Sequence, residues 1–333
     1  MARRIVIAGG SGFIGRYLAR AFRSEGDEVT IIGRQGQDAA WGDTAAITAL
    51  LDGADLLVNL AGKSVNCRYT PANRAEILRS RVETTRELAT AIQLCAVPPL
   101  VWLNSSTATI YRHADDRAMT EMAGDIGTGF SVSIATAWEA EFFRADLPGT
   151  RRVALRMAIV LDDGSALRPL MRLTRAGLGG AQLDGPWFAT PARRAAGTFH
   201  ERGTRGGRQR FSWIHIEDVF GAIRFLVEHP EIGGVVNLSA PEASDNRTLM
   251  RTLRRLLRMP AGLPAPRWLL EVGTALIRTE TELVLKSRWV VPQRLLETGY
   301  RFSFPELEPA LRAIVAGSSR SRRLASDRSG SLV

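Results

Sequence analysis

A doubly wound α/β sheet is predicted by three features of the sequence. Short apolar runs alternate with segments of helical spacing from residue 4 to residue 238, the pattern of parallel strands joined by right-handed crossovers. The runs are apolar throughout, as in strands covered on both faces. The first of them ends in glycines that open a helix.

Arg4–Ala8 is that first strand, and Ile14, Leu18, Ala21 and Phe22 then recur at helical spacing until Gly26 closes the segment. Val29–Ile32 and Asp55–Leu60 are the next strands. Thr70 and Pro71 start a helix, Thr70 as N-cap and Pro71 in the first turn, where its missing N–H costs nothing. That helix stops before Pro98 and Pro99. Leu100–Leu103 is a strand that delivers Asn104, Ser105, Ser106 and Thr107 at its carboxyl end. A helix at Ser133–Phe143 follows, and Arg152–Leu161 reads as one strand. From Gly177 to Arg210 the pattern lapses into a long loop, then resumes with a strand at Phe211–Ile216, a helix through His229 and a strand at Val235–Leu238. Past Ser244 the periodicity is helical, with Leu249, Leu253, Leu256 and Leu257 on one face. The expected organisation is an α/β domain over 1–243, a small helical domain over 244–316, and a Ser/Arg/Gly-rich disordered tail over 317–333.

The 333 residues, 45% hydrophobic and 23% charged, suit one large globular domain or one with an appendage, and exclude a disordered or fibrous chain. No apolar run approaches the roughly 18 residues of a membrane span. The apolar start stops after Ala8 and reads as a strand, not a signal peptide. Cys67 and Cys95 form no metal-spaced pair, and the four histidines lie far apart. No metal site is expected, and a reducing, cytoplasmic setting fits. The net charge of +10 is carried almost wholly by arginine, Lys63 and Lys286 being the only lysines. With no helix-turn-helix, RRM or zinc-finger pattern beside it, that charge points to phosphate-bearing small ligands and not to nucleic acid.

The segment Gly9-Gly10-Ser11-Gly12-Phe13-Ile14-Gly15 has G-x-x-G-x-x-G spacing between the first strand and the first helix. Glycine there permits a tight turn, close approach of backbone N–H groups to a pyrophosphate, and close packing of helix on sheet. The helix N-terminus adds its positive end. A strand before and an amphipathic helix after mark the segment as the turn of a dinucleotide-binding, Rossmann-like unit. The second strand ends in Ile32-Gly33-Arg34, with no carboxylate to bond a ribose 2′-hydroxyl. Arg34 offers a planar fork for a 2′-phosphate, so NADP(H) is expected over NAD(H). A merely solvated strand-end arginine is the alternative.

Together these residues resemble the extended short-chain dehydrogenase/reductase superfamily. Asn59-Leu60-Ala61-Gly62 is similar to its element after the fourth strand. Ser105-Ser106-Thr107-Ala108-Thr109-Ile110-Tyr111 resembles a segment of sugar-nucleotide epimerases. More narrowly, Arg68-Tyr69-Thr70, Ile77–Thr85, Trp138-Glu139, Gly177–Gly180 and Phe211–Asp218 resemble a bacterial NAD(P)-dependent epimerase/dehydratase-like family. That family carries a small C-terminal helical domain of unassigned function, matched here by Glu282–Pro292 and Leu295–Phe302. The resemblance covers about residues 3–315 and departs at Asp184–Arg205, which reads as an insertion. It implies that Leu60, Ala61, Gly62 and Ser105 line the cofactor, and that Thr107 orients the substrate carbonyl or alcohol. Arg156 is placed with them as a phosphate contact, although it and Arg81 can equally tie loops together.

The superfamily's acid/base pair is absent. A tyrosine, with a lysine four residues later that lowers its pKa, belongs on the helix near Phe130–Glu141, which has neither residue. No lysine follows Tyr17, Tyr69, Tyr111 or Tyr300 at that spacing. Ser131 or Ser133 can occupy the tyrosine's place, but a serine needs another group to relay the proton. Tyr111 and Glu139 are the remaining catalytic candidates, with a packed tyrosine and a solvent-facing carboxylate as the plain alternatives. His215 reads as a hydrogen-bonded structural histidine.

The first functional reading is therefore an NADP(H)-binding oxidoreductase or epimerase-like enzyme acting on a polar, nucleotide-linked or anionic small molecule. The alternative is a catalytically silent dinucleotide-binding regulatory or scaffold protein, and fold alone does not choose between them. No nucleic-acid or membrane partner is expected, and a homodimer is compatible. Six arginines between Arg193 and Arg210, against the single acid Glu201, suggest a lid over an anionic substrate. A mobile surface loop sharing the chain's arginine bias is the other possibility.

Overall fold

The computed structural model describes residues 2–35, 37–164, 167–201, 203–276 and 280–330. The chain begins with β1 (Arg4–Ala8), α1 (Phe13–Ser24), β2 (Glu28–Gly33), β3 (Ala39–Ala40), α2 (Thr44–Leu51) and β4 (Leu56–Asn59). It continues with α3 (Pro71–Leu94), β5 (Val101–Thr107), α4 (Phe130–Arg144), β6 (Arg151–Met157), β7 (Ile159–Leu161) and α5 (Leu167–Arg175). Next come α6 (Pro191–Ala195), β8 (Arg210–Phe211), β9 (Trp213–His215), α7 (Ile216–Glu228), β10 (Gly234–Leu238) and β11 (Ser244–Asp245). Five helices complete it: α8 (Asn246–Leu256), α9 (Arg267–Leu276), α10 (Glu282–Leu285), α11 (Gln293–Glu297) and α12 (Leu307–Gly330).

Seven strands pair in parallel in the order β10-β6-β5-β4-β1-β2-β3. The order reverses between β1 and β4, which run in register from Ile5 opposite Leu56 to Ala8 opposite Asn59. Connections leave to opposite faces at such a point and open a crevice beyond the carboxyl ends of the strands. Alternate residues of β1 serve the two faces. Ile5 and Ile7 pack with Leu18 and Phe22 of α1 and Val219 and Ile223 of α7. Val6 and Ala8 pack with Ile47, Leu88, Ile92, Trp102 and Phe142. Burial on both sides explains the unbroken apolar runs. Thr70 caps α3 as expected, its hydroxyl accepting from the Asn73 amide at 3.2 Å.

Arg152–Leu161 is two strands and not one. Its Ala158 amide donates to the Leu238 carbonyl at 2.9 Å, and beyond it β7 leaves the main sheet to pair with β9. Both halves are apolar, so composition carries no sign of the break. β7 and β9 found a second core, in which Leu161, Leu167, Met171 and Trp213 pack with Leu249, Leu253, Leu311 and Ile314. The second lobe thus draws on both sides of residue 243.

Residues 288–291 return from that lobe into the first. Met119 and Trp289–Val291 exchange backbone bonds, Met119 N to Trp289 O at 2.7 Å and Val291 N to Met119 O at 3.0 Å. The Ser212 and Ser239 hydroxyls and the Asn237 amide also bond this segment. The inserted stretch is not a plain loop either. Thr190 and Pro191 start α6, and the fully buried Asp184 carboxylate bonds the His200 ring at 3.0 Å and Arg267 at 2.8 Å. The stretch is pinned to α9, which argues against a mobile loop; Arg202 lies outside the described residues. At the other end α12 continues to Gly330 through the segment read as a disordered tail, and 331–333 lie outside the described residues. Alanine, leucine and arginine in that segment are good helix formers. No helix among the described residues is long and apolar enough to cross a membrane, and no group of metal-ligating side chains is found among them.

Candidate active site

The glycine turn lies at the carboxyl end of β1, and its glycines have separate causes. Gly9 has φ +82°, and a Cβ there would stand 2.9 Å from the Ala61 amide nitrogen. At Gly15 a Cβ would be 2.6 Å from the Gly10 Cα. Both keep α1 and the β4 end tight against β1. Gly12 is different: a Cβ would meet only the Gly9 carbonyl, at 3.3 Å, and φ is an ordinary −70°. The protein itself barely requires glycine at this exposed position. Gly12 is also the N-cap of α1 and supplies no side chain, so the first amides of the helix, at Phe13, Ile14 and Gly15, lack a side-chain cap. A bare helix start with no Cβ at its mouth fits a pyrophosphate. Ser11 is exposed at the same mouth, and Arg34 is exposed just past the end of β2.

Buried amides hold the β4 end in place. The Asn59 side chain donates to Asn104 at 2.7 Å and to Thr85 at 3.3 Å, and its oxygen accepts from the Ala61 amide at 3.0 Å. Leu60 continues the ladder, its amide bonding the Ala8 carbonyl at 2.8 Å. Gly62 passes under Arg81, whose guanidinium would lie 3.1 Å from a Cβ there. Arg81 stacks on Trp138 at 5.1 Å and donates to the Lys63 and Ile77 carbonyls, so it ties segments together. Burial pushes its pKa down to about 10.

The structure reassigns several candidates on β5, α4 and β6. Ser105 is buried at the carboxyl end of β5. Thr107 stands half-buried at the last position of that strand, its oxygen accepting from the Thr109 amide at 3.1 Å. Glu139 is not a solvent-facing carboxylate: it is 9% exposed, pairs with Arg156, and accepts from the Ser106 hydroxyl at 2.6 Å. Arg156 in turn donates to the Tyr111 hydroxyl at 3.0 Å, and that hydroxyl donates to Asn237 at 2.8 Å. Tyr111 is 1% exposed. Three of the five N–H donors of the 8% exposed Arg156 are committed to Glu139 and Tyr111, and the network reads as internal strapping between β5, α4, β6 and β10. Sequence alone could not pair Glu139 with a residue 17 positions on in another element. His215 is structural: it caps α7, its Nδ1 accepting from the Glu217 amide at 3.3 Å, and burial pushes its pKa down to about 4.

Another cluster stands beside Thr107. The Lys286 ammonium donates to the Thr109 carbonyl at 2.9 Å. Burial, reinforced by Arg288 and opposed by Glu282, pushes its pKa down to about 8. The Ser131 hydroxyl donates to Glu282 at 2.9 Å, and it also bonds the buried Tyr69, whose pKa burial raises to about 12. Glu280 accepts from the Tyr69 amide at 2.8 Å and pairs with Arg68 and Arg193. Residues from the β4–α3 loop, from α4 and from the second lobe thus converge. A buried lysine whose pKa lies near 8 can hold and release a proton near neutral pH. One sequence signal pointed here: Lys286 is one of only two lysines in a chain that otherwise uses arginine.

Comparison with known proteins agrees with this architecture. The NAD dependent epimerase/dehydratase family matches residues 5–131, and a Domain of unknown function (DUF1731) matches residues 265–314. The epimerase family protein SDR39U1 of Bos taurus is 33% identical, over 94% of this chain and 100% of its own length. The epimerase family protein YfhF of Bacillus subtilis is 30% identical, over 94% and 98%. A crystal structure of human SDR39U1 with NADPH superposes with a TM-score of 0.79 at 30% identity, covering 94% of this chain and 99% of that one. The chain therefore belongs to the epimerase family of SDR39U1 and YfhF, with an NAD-dependent epimerase/dehydratase segment near its start and a domain of unknown function towards its end.

Proposed function

We propose that this chain is an NADP(H)-binding oxidoreductase or epimerase-like enzyme. It acts on a polar, nucleotide-linked or anionic small molecule at the carboxyl end of β5, with Lys286 handling the proton in place of the missing tyrosine–lysine pair. The NADPH in the human relative supports the cofactor. Gly9, Ser11, Gly12, Phe13, Ile14 and Gly15 would hold the pyrophosphate, Arg34 the 2′-phosphate, and Leu60, Ala61, Gly62 and Ser105 the rest of the crevice. When bound, the nicotinamide cofactor supplies or accepts a hydride.

The observation that carries the reading is the position of Lys286, bonded to the Thr109 carbonyl two residues past Thr107. Thr107, whose oxygen accepts from the Thr109 amide, would use its hydroxyl proton to hold a substrate oxygen. Lys286, with its pKa near 8, gives a proton to that oxygen in reduction and takes it back in oxidation. Tyr69 stays a neutral phenol and with Ser131 fixes Glu282, which opposes the loss of charge on Lys286.

The test is oxidation of NADPH, followed by absorbance, with aldehydes, ketones and nucleotide sugars. Lys286→Met should lower kcat on the active class about 100-fold or more and leave NADPH affinity unchanged. Cofactor binding with no turnover on any class would favour a silent regulatory protein instead.

A further inference from the structure

The part of the insertion that follows α6 forms one wall of an open cavity that includes no residue of the glycine turn. It has a volume of about 620 Å³ and is lined by Arg205, Arg208, Arg210, Arg247 and Arg251, with Asp115, Thr204, Asp245 and Thr248. That volume falls within the usual range for a small-ligand site. Arg247 and Arg251 lie four residues apart on α8 and so on one face of it. The loop opposite is fastened to the start of that helix: the Arg247 amide bonds the Gly207 carbonyl at 2.9 Å and the Asn246 amide bonds the Gln209 carbonyl at 3.1 Å.

The charge in this cavity is only partly compensated, five arginines standing against two carboxylates. Asp115 is already bonded by Ser287, Thr204 and His113. Asp245 caps α8, accepting from the Thr248 amide at 2.8 Å and the Thr248 hydroxyl at 3.0 Å. Arg210 lies over the Trp289 ring at 4.3 Å. Arg205, Arg208, Arg247 and Arg251 are exposed and pair with no carboxylate among the described residues. Arginine bias does not account for this. Two arginines earlier in the same insertion are paired, Arg193 with Glu271 at 3.3 Å and Arg194 with Glu201 at 3.5 Å.

Like charges held around one cavity repel, and a multivalent anion removes that repulsion for several of them at once. Guanidinium forks match phosphate oxygens in pairs. We infer that this arginine-lined cavity binds a small ligand carrying two or more phosphate groups, at a site separate from the dinucleotide turn.

Calorimetric titration of inorganic pyrophosphate into the full chain tests this. Gly12→Val is made in parallel to silence the dinucleotide turn. Pyrophosphate should bind both chains, and orthophosphate should bind more weakly. Replacing Arg208 and Arg247 together by alanine should weaken pyrophosphate at least about tenfold in either background. Both arginines are exposed, so an unchanged melting temperature confirms that the fold is intact. Should Gly12→Val fail to fold, the arginine pair in the wild-type chain still decides the matter. No binding up to about 1 mM, an affinity indifferent to the two arginines, or displacement of pyrophosphate by a single-stranded oligonucleotide would overturn the inference.

Discussion

Arg156 grips Glu139 through two parallel hydrogen bonds, Nε to Oε1 at 2.8 Å and Nη2 to Oε2 at 2.7 Å, with both side chains about a tenth exposed. Burial alone would discourage charge on the guanidinium, yet Glu139 and Tyr111 more than offset it and raise its pKa. Glu139→Gln strands a buried charge and should destabilise the fold by about 3–5 kcal/mol. Adding Arg156→Met should recover most of that loss. Urea unfolding of the two variants decides; equal stability of the single variant and the parent contradicts a structural pair.

The two kinds of glycine in the turn should respond oppositely. Gly12→Val places a Cβ where only the Gly9 carbonyl stands within 4 Å, so the chain should fold and lose NADPH binding. Gly9→Val puts a branched residue at φ +82° against the Ala61 backbone, so the fold itself suffers. Circular dichroism melts beside NADPH titrations separate the effects. Normal NADPH affinity in Gly12→Val would move the dinucleotide elsewhere.

Arg34 should discriminate between cofactors. A lost charge-assisted contact costs roughly 1.5–3 kcal/mol, so Arg34→Ala should weaken NADPH about 10- to 100-fold and leave NADH nearly unchanged. Equal affinity of the parent for both, measured by calorimetry, would refute the assignment.

Lys286 predicts a pH dependence with a definite sign. Its pKa falls from an ordinary 10.5 to about 8 on folding. Between those values the unfolded chain holds the extra proton, so this group's contribution to stability rises with pH across that window. The urea midpoint of the parent should therefore rise from pH 8 to pH 10 relative to that of Lys286→Met. Parallel midpoints would mean that Lys286 titrates normally in the folded chain.

Much of the sheet was legible because its signals are local. The cap at Thr70, the glycine turn before Phe13 and the apolar run at Leu56 each fix an element from a few neighbouring residues. The candidate site was legible only where it too is local, at Gly12 and Thr107. The burial of Glu139 on α4 was not legible because its partner Arg156 sits on β6, which parallel pairing sets beside Ser106 of β5. Tyr69, Ser131 and Glu282 meet across more than 200 residues, a convergence that no spacing rule contains. The break at Ala158 was invisible for the opposite reason, since both of its sides are equally apolar.

Residues 288–291, threaded between Met119 and Ser212, also set an order in time. Chains fold from their N-terminal end as the ribosome delivers them. The glycine turn is complete once β4 exists, whereas Lys286 reaches Thr109 only after most of the second lobe has been made. On the proposed reading, a nascent or prematurely terminated copy that stops short of residue 286 would carry the sequence of the glycine turn and lack the proposed proton donor.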